Sequence, residues 1–461
     1  MICLVSDFSY NEISGGAEYV DRYFLNNIEH IEFIRCRDFT KEQYFINNQY
    51  IISNFAHLAG DVKKKLIENS NYVIVEHDYK FVKERNPIKY PNFKVPFEKR
   101  VNALFYNAAK AVFAQSDYHA DILKKNLPFA NIISFQGTFY EEQHLELLKK
   151  IKQDRVVKAK KYAILESKLR SKGMPEAERF CRKNKINYDI IPRMNYEEFL
   201  KKISEYEGIV FFPQSPETFC KLIYEAKVLG LKIKTNKNSG VVHERWIKDK
   251  DLNLIEYIRN KQKYNLNLVL EMLNKEFAFK PVLTEVVSLF KAKRFLNNFL
   301  ENLTSQSLFK HTEVLVIDCN PSDYTEDNEL LQPFLDKHKN IKVIHLDKDP
   351  GVYGAWNTGI EAANTEFVCN SNTDDLRFTN STEEMVHSLR NSESVLVYGD
   401  SRVMTEYGIV SHQRSEHSSS DFSKENMIKC LPGAIPVWKK SVHDEHGYFD
   451  EKCSSAADWV F

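Results

Sequence analysis

Short, unbroken apolar runs alternate with amphipathic stretches along almost the whole chain. Runs over Ile2–Val5, Tyr72–Glu76, Ala111–Ala114, Gly208–Phe212, Val314–Asp318, Lys342–Leu346, Glu366–Cys369 and Val395–Tyr398 predict strands. Most are continuous Val, Ile, Phe and Tyr rather than alternating, the pattern of strands covered on both faces. Between them, a spacing such as Phe219, Leu222, Ile223, Ala226 and Leu229 predicts a helix with one apolar face. Strand–helix alternation of this kind predicts an α/β protein built on parallel sheets.

The 461 residues suggest about three domains. Composition places them at 1–145, 146–277 and 278–461, with the clearest break at Phe279-Lys-Pro281. The Ser-rich stretch Ser415–Ser423 reads as a loop inside the third block. Between Lys149 and Lys172 ten basic residues face two acidic ones, Asp154 and Glu166. That stretch reads either as a solvated inter-domain helix or as a peripheral contact with anionic lipid headgroups.

Overall charge narrows the function classes. Lys+Arg and Asp+Glu are both 64, so no strongly basic domain points to nucleic acid. The eight cysteines include no CxxC pair, so they read as small core residues in a reducing compartment, not as a zinc site or disulfide frame. No run approaches the ~20 apolar residues of a membrane span, and the short apolar start Met1–Ser6 ends at Asp7. A cytoplasmic protein is expected, one that leaves open a peripheral place at the inner face of the membrane.

Candidate chemistry is densest in the third block. Gly351-Val-Tyr-Gly-Ala-Trp-Asn-Thr-Gly359 starts a helix leading into the strand Glu366–Cys369, and Asn372-Thr-Asp-Asp375 follows. Adjacent carboxylates Asp374 and Asp375 after a buried strand sit at the sheet edge where α/β proteins bind ligands. Hard oxygen donors there suit Mg²⁺ or Mn²⁺ with phosphate oxygens as further ligands. An Asp-Asp pair taken alone is equally a polar turn.

These motifs, in this order, resemble the family-two inverting glycosyltransferases of the GT-A fold, from Glu285 to the end of the chain. Val314-Leu-Val-Ile-Asp318 is similar to the family's second strand, and the resemblance implies that Asp318 lies near the nucleotide base. Cys319 stands where a second Asp is usual. Asn372-Thr-Asp-Asp375 resembles the family's metal motif, which implies donor contacts from Asn372 and Asp374 and metal ligation by Asp374 and Asp375. Val397-Tyr-Gly-Asp400 matches a following strand end. Ala456-Ala-Asp458-Trp-Val-Phe461 resembles the segment whose aspartate is the general base, which assigns that role to Asp458. The chain stops inside the first turn of the helix there, so a longer parent protein is expected.

In the first two blocks, Ser14-Gly15-Gly16-Ala-Glu18 is a turn running into a helix, where backbone N–H groups can face phosphate or sugar oxygens. No G-x-G-x-x-G occurs, which disfavours a dinucleotide-dependent dehydrogenase. Glu76-His-Asp78 and Gln115-Ser-Asp-Tyr-His119 end strands, and their histidines read equally as turn residues. Glu217 and Glu225 bracket a strand–loop–helix. With Ser171-Lys172-Gly173, these segments resemble, more loosely, GT-B glycosyltransferases of the retaining family-four type. That resemblance implies two Rossmann-like domains, donor contacts from Gly15, Gly16, Glu217 and Glu225, and a phosphate clamp in which Lys168 or Arg170 joins Lys172. Cys220 occupies a position where the family often has Gly.

The expectation is a bifunctional enzyme, a GT-B module followed by a GT-A module. It would move sugars from nucleotide-sugar donors to a growing glycan or lipid-linked glycan acceptor. The competing reading is one active GT-A transferase whose GT-B half is a non-catalytic docking scaffold.

Overall fold

The computed structural model describes residues 1–9, 12, 15–277, 279–401, 404–406, 409–410, 423, 426, 435–453 and 457–460. Ser14, residues 415–422, Ala456 and Phe461, all used in the sequence reading, lie outside these. The chain forms two compact units, Met1–Phe277 and Ala278–Phe461. Both are α/β with parallel, Rossmann-like sheets. Among the described residues every cysteine is free, and no helix is long and apolar enough to cross a membrane.

The first unit holds two sheets. Strands β1 (Ile2–Ser6), β2 (Ile31–Arg35), β3 (Gln49–Ile52), β4 (Tyr72–Val75), β5 (Val112–Ala114) and β6 (Ile132–Ser134) run in the order β2-β1-β3-β4-β5-β6, all parallel. Strands β7 (Ala159–Leu165), β8 (Tyr188–Ile191), β9 (Tyr206–Phe211) and β10 (Lys232–Thr235) form the second, ordered β10-β9-β7-β8 and also parallel. The helices that matter below are α1 (Gly16–Asn27), α2 (Glu142–Gln153), α3 (Lys221–Val228) and α4 (Leu254–Asn274). Helix α4 serves both sheets. Leu254, Ile255 and Ile258 pack into the core of the second, whereas Leu266, Val269 and Leu273 join Leu4, Val20 and Phe24 against the first. The 146–277 block is therefore not self-contained, because its last helix completes the core of the block before it.

The basic stretch is not one solvated helix. It ends α2, includes the whole of β7 and then walls a cleft. Lys158, Lys161 and Lys172 are paired with Glu205, Asp189 and Glu217, and Arg155 donates to the carbonyls of Ser204 and Tyr206.

The second unit has one large sheet. Strands β11 (Leu283–Leu289), β12 (Thr312–Asp318), β13 (Ile341–His345) and β14 (Phe367–Asn372) are parallel in the order β13-β12-β11-β14. The short strands β15 (Leu396–Val397) and β18 (Val437–Lys439) extend it antiparallel, and β16 (Met404–Glu406) pairs with β17 (Ile409–Val410). Helices α5 (Lys293–Thr304) and α6 (Gly351–Ala362) cover the sheet, and α7 (Ala457–Val460) is a single turn. Strand β12 is buried at all seven positions, which accounts for its unbroken apolar sequence.

Candidate functional site

Strand order decides where each unit can bind a ligand. In a parallel sheet the connections on either side of an order reversal diverge, leaving a crevice at the strands' carboxyl ends. In the second sheet of unit one the reversal falls between β7 and β9. In unit two it falls between β11 and β14. Each of these places holds a cleft.

The unit-one cleft measures about 940 Å³ and is lined by Lys168, Lys172, Arg193, Glu217, Cys220 and Lys221, with apolar walls from Leu165, Ile191 and Phe211. Lys172 Nζ donates to Glu217 Oε1 at 2.8 Å, so these two sequence candidates do meet. Gly173, just after Lys172, has φ +69°, and a Cβ there would lie 1.7 Å from the Phe212 carbonyl oxygen. Only glycine lets this loop approach the one after β9. Cys220, by contrast, sits at φ +76° without that freedom.

Glu225 does not line the cleft. It is 3% exposed, and its Oε1 accepts from Tyr196 Oη at 2.7 Å and Tyr140 Oη at 3.1 Å. Burial pushes its carboxyl up to about 7, against these hydrogen bonds and the nearby Lys221. The expected donor contact from Glu225 is corrected accordingly: helix α3 turns it into the core. The residues that α3 offers to the cleft are Leu222 and Lys221, the latter with its Nζ held by the Phe139 carbonyl at 3.0 Å. Gly15 and Gly16 also lie away from this cleft, at the start of α1 on the first sheet, where Gly15 leaves room for the Glu18 carboxylate.

The two strand-end histidines have structural partners. His119 Nδ1 accepts from the Gln115 N–H at 3.2 Å and Nε2 donates to the Asp78 carbonyl at 3.0 Å. Burial holds it neutral, with its pKa pushed down to about 3. His77 lies between Ser53 Oγ and Gln115 Nε2. The loops of the two sheets are also fastened together. Ser116 Oγ donates to the Thr218 carbonyl, Thr218 Oγ1 donates to the His77 carbonyl at 3.2 Å, and the Asp117 N–H donates to Glu244 Oε1 at 2.8 Å.

The unit-two cleft measures about 470 Å³. The end of β11 and the loop after it contribute Ser288 to Ala292, the residue after β12 is Cys319, the start of α6 contributes Gly351, Val352 and Ala355, and the end of β14 with the turn after it contributes Asn372 to Asp374. Asp374 is exposed and Asp375 is half-buried. Burial and the neighbouring Asp374 charge push the Asp375 carboxyl up to about 6, with Arg377 opposing. Asn372 Oδ1 accepts from Ser288 Oγ at 3.4 Å, so the end of β14 that leads into the turn leans on the end of β11.

Asp318 is a second correction. Its side chain is 3% exposed; it accepts from the Asn320 N–H at 3.0 Å and from His345 Nδ1 at 3.2 Å. It braces the ends of β12 and β13, and Cys319 is the residue that faces the cleft. Phe290, Lys291 and Asp349 also line the cleft and were missed from sequence. Phe290 and Lys291 follow β11, a strand whose apolar run is interrupted by Glu285. Asp349 reveals itself only by accepting the Gly351 N–H at 2.8 Å where α6 begins.

Helix α6 explains its own motif. At Gly359 a Cβ would lie 2.3 Å from Val286 Cγ1, so glycine sets how closely the helix approaches β11. Asn357 brackets the Phe449 backbone, accepting its N–H at 3.0 Å and donating to its carbonyl at 2.9 Å, with a further bond to Glu451 Oε1 at 2.9 Å. Tyr353 Oη donates to Asp458 Oδ1 at 2.9 Å. Ala457 anchors that turn by packing into the cluster of Tyr353, Trp356 and Phe449. One helix therefore carries part of the cleft wall and fixes the exposed carboxylate of Asp458.

Comparison with known proteins matches residues 286–448 to the family model "Glycosyl transferase family 2". The second unit carries a family 2 glycosyltransferase domain. An uncharacterized glycosyltransferase of Haemophilus influenzae is 22% identical over 120 residues, 26% of this chain and 47% of that protein. The uncharacterized glycosyltransferase YwdF of Bacillus subtilis is 23% identical over 173 residues, 36% of this chain and 61% of that protein. The chain thus spans about half the length of the relatives it matches. A crystal structure of S. aureus TarS aligns with TM-score 0.33 at 17% identity, covering 39% of this chain and 32% of that one.

The donor set in the family 2 domain fits a hard divalent cation. Among the described residues no three His, Cys, Asp or Glu side chains cluster as a closed metal cage. Asp374 at the cleft with half-buried Asp375 beside it suits Mg²⁺ or Mn²⁺, which keep waters and take substrate oxygens as remaining ligands.

Proposed function

We propose that the family 2 domain transfers a sugar from a nucleotide-sugar donor to an acceptor hydroxyl, with inversion at the anomeric carbon. The observation that carries this reading is the joining of the cleft and Asp458 through α6. Asp374 and Asp375 would hold Mg²⁺ or Mn²⁺, which when bound neutralises charge on the leaving diphosphate. Asp458 takes the acceptor proton as the hydroxyl attacks, and the Tyr353 hydroxyl fixes the direction of its carboxylate. Phe290 gives the cleft an apolar wall suited to a base, and Asn372 and Asp374, which line the same cleft, would contact the donor. The test is transfer assayed over a nucleotide-sugar panel with metal titration. Asp374→Ala and Asp375→Ala should abolish transfer with the fold intact; full activity in EDTA would sink the reading.

For the first unit the same reading adds a second transfer to the same growing glycan. Lys172 and Glu217 would act at the larger cleft, with Lys168, Arg193 and Lys221 as partners for a diphosphate. A tether between two such sites raises the local concentration of the intermediate. A lipid-linked acceptor would bring the protein to the inner face of a membrane, testable by co-sedimentation with anionic vesicles. One observation favours the scaffold reading instead: the loop carrying Glu217 is fastened through Thr218 to the loops at His77 and Ser116. Lys172→Ala and Glu217→Ala separate the two. Loss of one of two products supports a second transferase, and an unchanged product profile supports a scaffold.

A further inference from the structure

Next to the Asp374–Asp375 turn lies a charge pair that the proposed reaction does not use. The side chains of Arg377 and Glu285 are only 5% and 2% exposed. Glu285, on β11, accepts at Oε1 from the Arg377 guanidinium and from Ser371 Oγ, the latter at 2.7 Å. Ser371 belongs to β14 and immediately precedes Asn372. The backbone of Arg377 is fastened too. Its N–H donates to Asn302 Oδ1 at 3.0 Å, and its carbonyl accepts from Asn302 Nδ2 at 2.9 Å. The turn is thus pinned by the sheet at its start and by Arg377 and helix α5 at its end.

A buried ion pair contributes little net stability, because desolvation offsets its attraction and apolar residues of similar volume often do as well. Its strength is geometric, since the guanidinium fork fixes direction as a point charge does not. Here the geometry bears on two neighbouring carboxylates whose mutual repulsion would otherwise splay the turn. We infer that Glu285 and Arg377 are a positioning pair that holds Asp374 and Asp375 in the arrangement a divalent cation requires. The inference rests on the metal reading given above.

The test is Mn²⁺ binding by the full chain, followed by EPR, with and without added UDP or GDP. The neutral double variant Glu285→Gln/Arg377→Gln should bind Mn²⁺ about 10–100-fold more weakly, the usual effect of losing groups that orient metal ligands. Arg377→Lys, which keeps the charge and loses the fork, should lie between that variant and wild type. Leu300→Ala, which opens a cavity in the same unit through the core of α5, should lower Tm and leave Mn²⁺ affinity alone. Wild-type affinity in the double variant overturns the inference and leaves the metal reading standing. An equal loss of affinity in Leu300→Ala overturns it as well, since the pair would then act through stability only. If the double variant does not fold, Arg377→Lys decides by the same criterion. A wild-type chain that binds no Mn²⁺, or binds it equally with Asp374→Ala/Asp375→Ala, overturns the metal reading and the inference with it.

Discussion

Asn357→Ala tests whether helix α6 links the unit-two cleft to the turn that carries Asp458, the proposed base. Asn357 is 5% exposed and Phe449, whose N–H and carbonyl it satisfies, is 7% exposed. Truncation strands both backbone groups away from water. Each buried, unsatisfied group costs about 1–3 kcal/mol, so the segment around Phe449 should lose roughly 2–5 kcal/mol of local stability. Every 1.4 kcal/mol is tenfold in an equilibrium constant, so the Phe449 amide should exchange with deuterium roughly 30- to 3,000-fold faster. Global unfolding should move less, because β11, β12 and α5 are untouched. Transfer should slow about tenfold or more, since Asp458 lies beyond the loosened segment and near-attack geometry tolerates little displacement. Donor affinity should stay near wild type, because the cleft is lined from the first turn of α6 and not from Asn357. Hydrogen-exchange mass spectrometry and a donor titration provide both readouts. Unchanged exchange at Phe449, or a loss of donor affinity with the rate intact, would refute the reasoning.

Asp458→Asn keeps the hydrogen bond from Tyr353 and removes basicity, so transfer should fall about 10²–10⁴-fold with donor binding unchanged; a wild-type rate would move the base elsewhere. Asp21 lies fully buried beside Ser6 and Ser53, and burial pushes its carboxyl from an ordinary 3.8 up to about 7. Between those values the folded chain holds a proton that the unfolded chain has released, so unit one should lose stability as pH rises from about 4 to 7, by at most about 4 kcal/mol. Asp21→Asn should reduce that slope in urea unfolding, leaving the part that Glu225 contributes in the same direction, and be the more stable protein at pH 8 but not at pH 4; parallel slopes would disprove the assignment. Gly359→Ala gains helix propensity of about 1 kcal/mol but drives a methyl group onto Val286, an overpacking cost of about 1–3 kcal/mol. A Tm lower by several degrees is expected, and a raised Tm would show that β11 yields.

Local order was legible wherever one residue pattern had a single physical meaning. The runs at Tyr72–Val75 and Val314–Asp318 could only be buried strands, and the structure has them fully buried. Two edge strands, Ile31–Arg35 and Lys232–Thr235, escaped because they are half-exposed and carry the charges that water permits there, and the interior strand Leu283–Leu289 escaped because Glu285 interrupts its apolar run. The carboxylate pair Asp374–Asp375 and the Gly351–Gly359 helix start were readable because their chemistry is contiguous in the chain. Which side chain faces a cleft was not readable. Glu225 and Asp318 carry the residue type that donor binding needs, yet Tyr140 and Tyr196 enclose one, and Asn320 and His345 occupy the other. The same limit hid α4, whose apolar stripe announces burial but not that its two halves enter different cores. It also hid Glu285 and Arg377, which are 92 residues apart and meet because β11 and β14 are neighbours. Periodicity along a chain records that a position leaves water. Its partner on the far side is set by strand order and packing, which exist only once the whole sheet has formed.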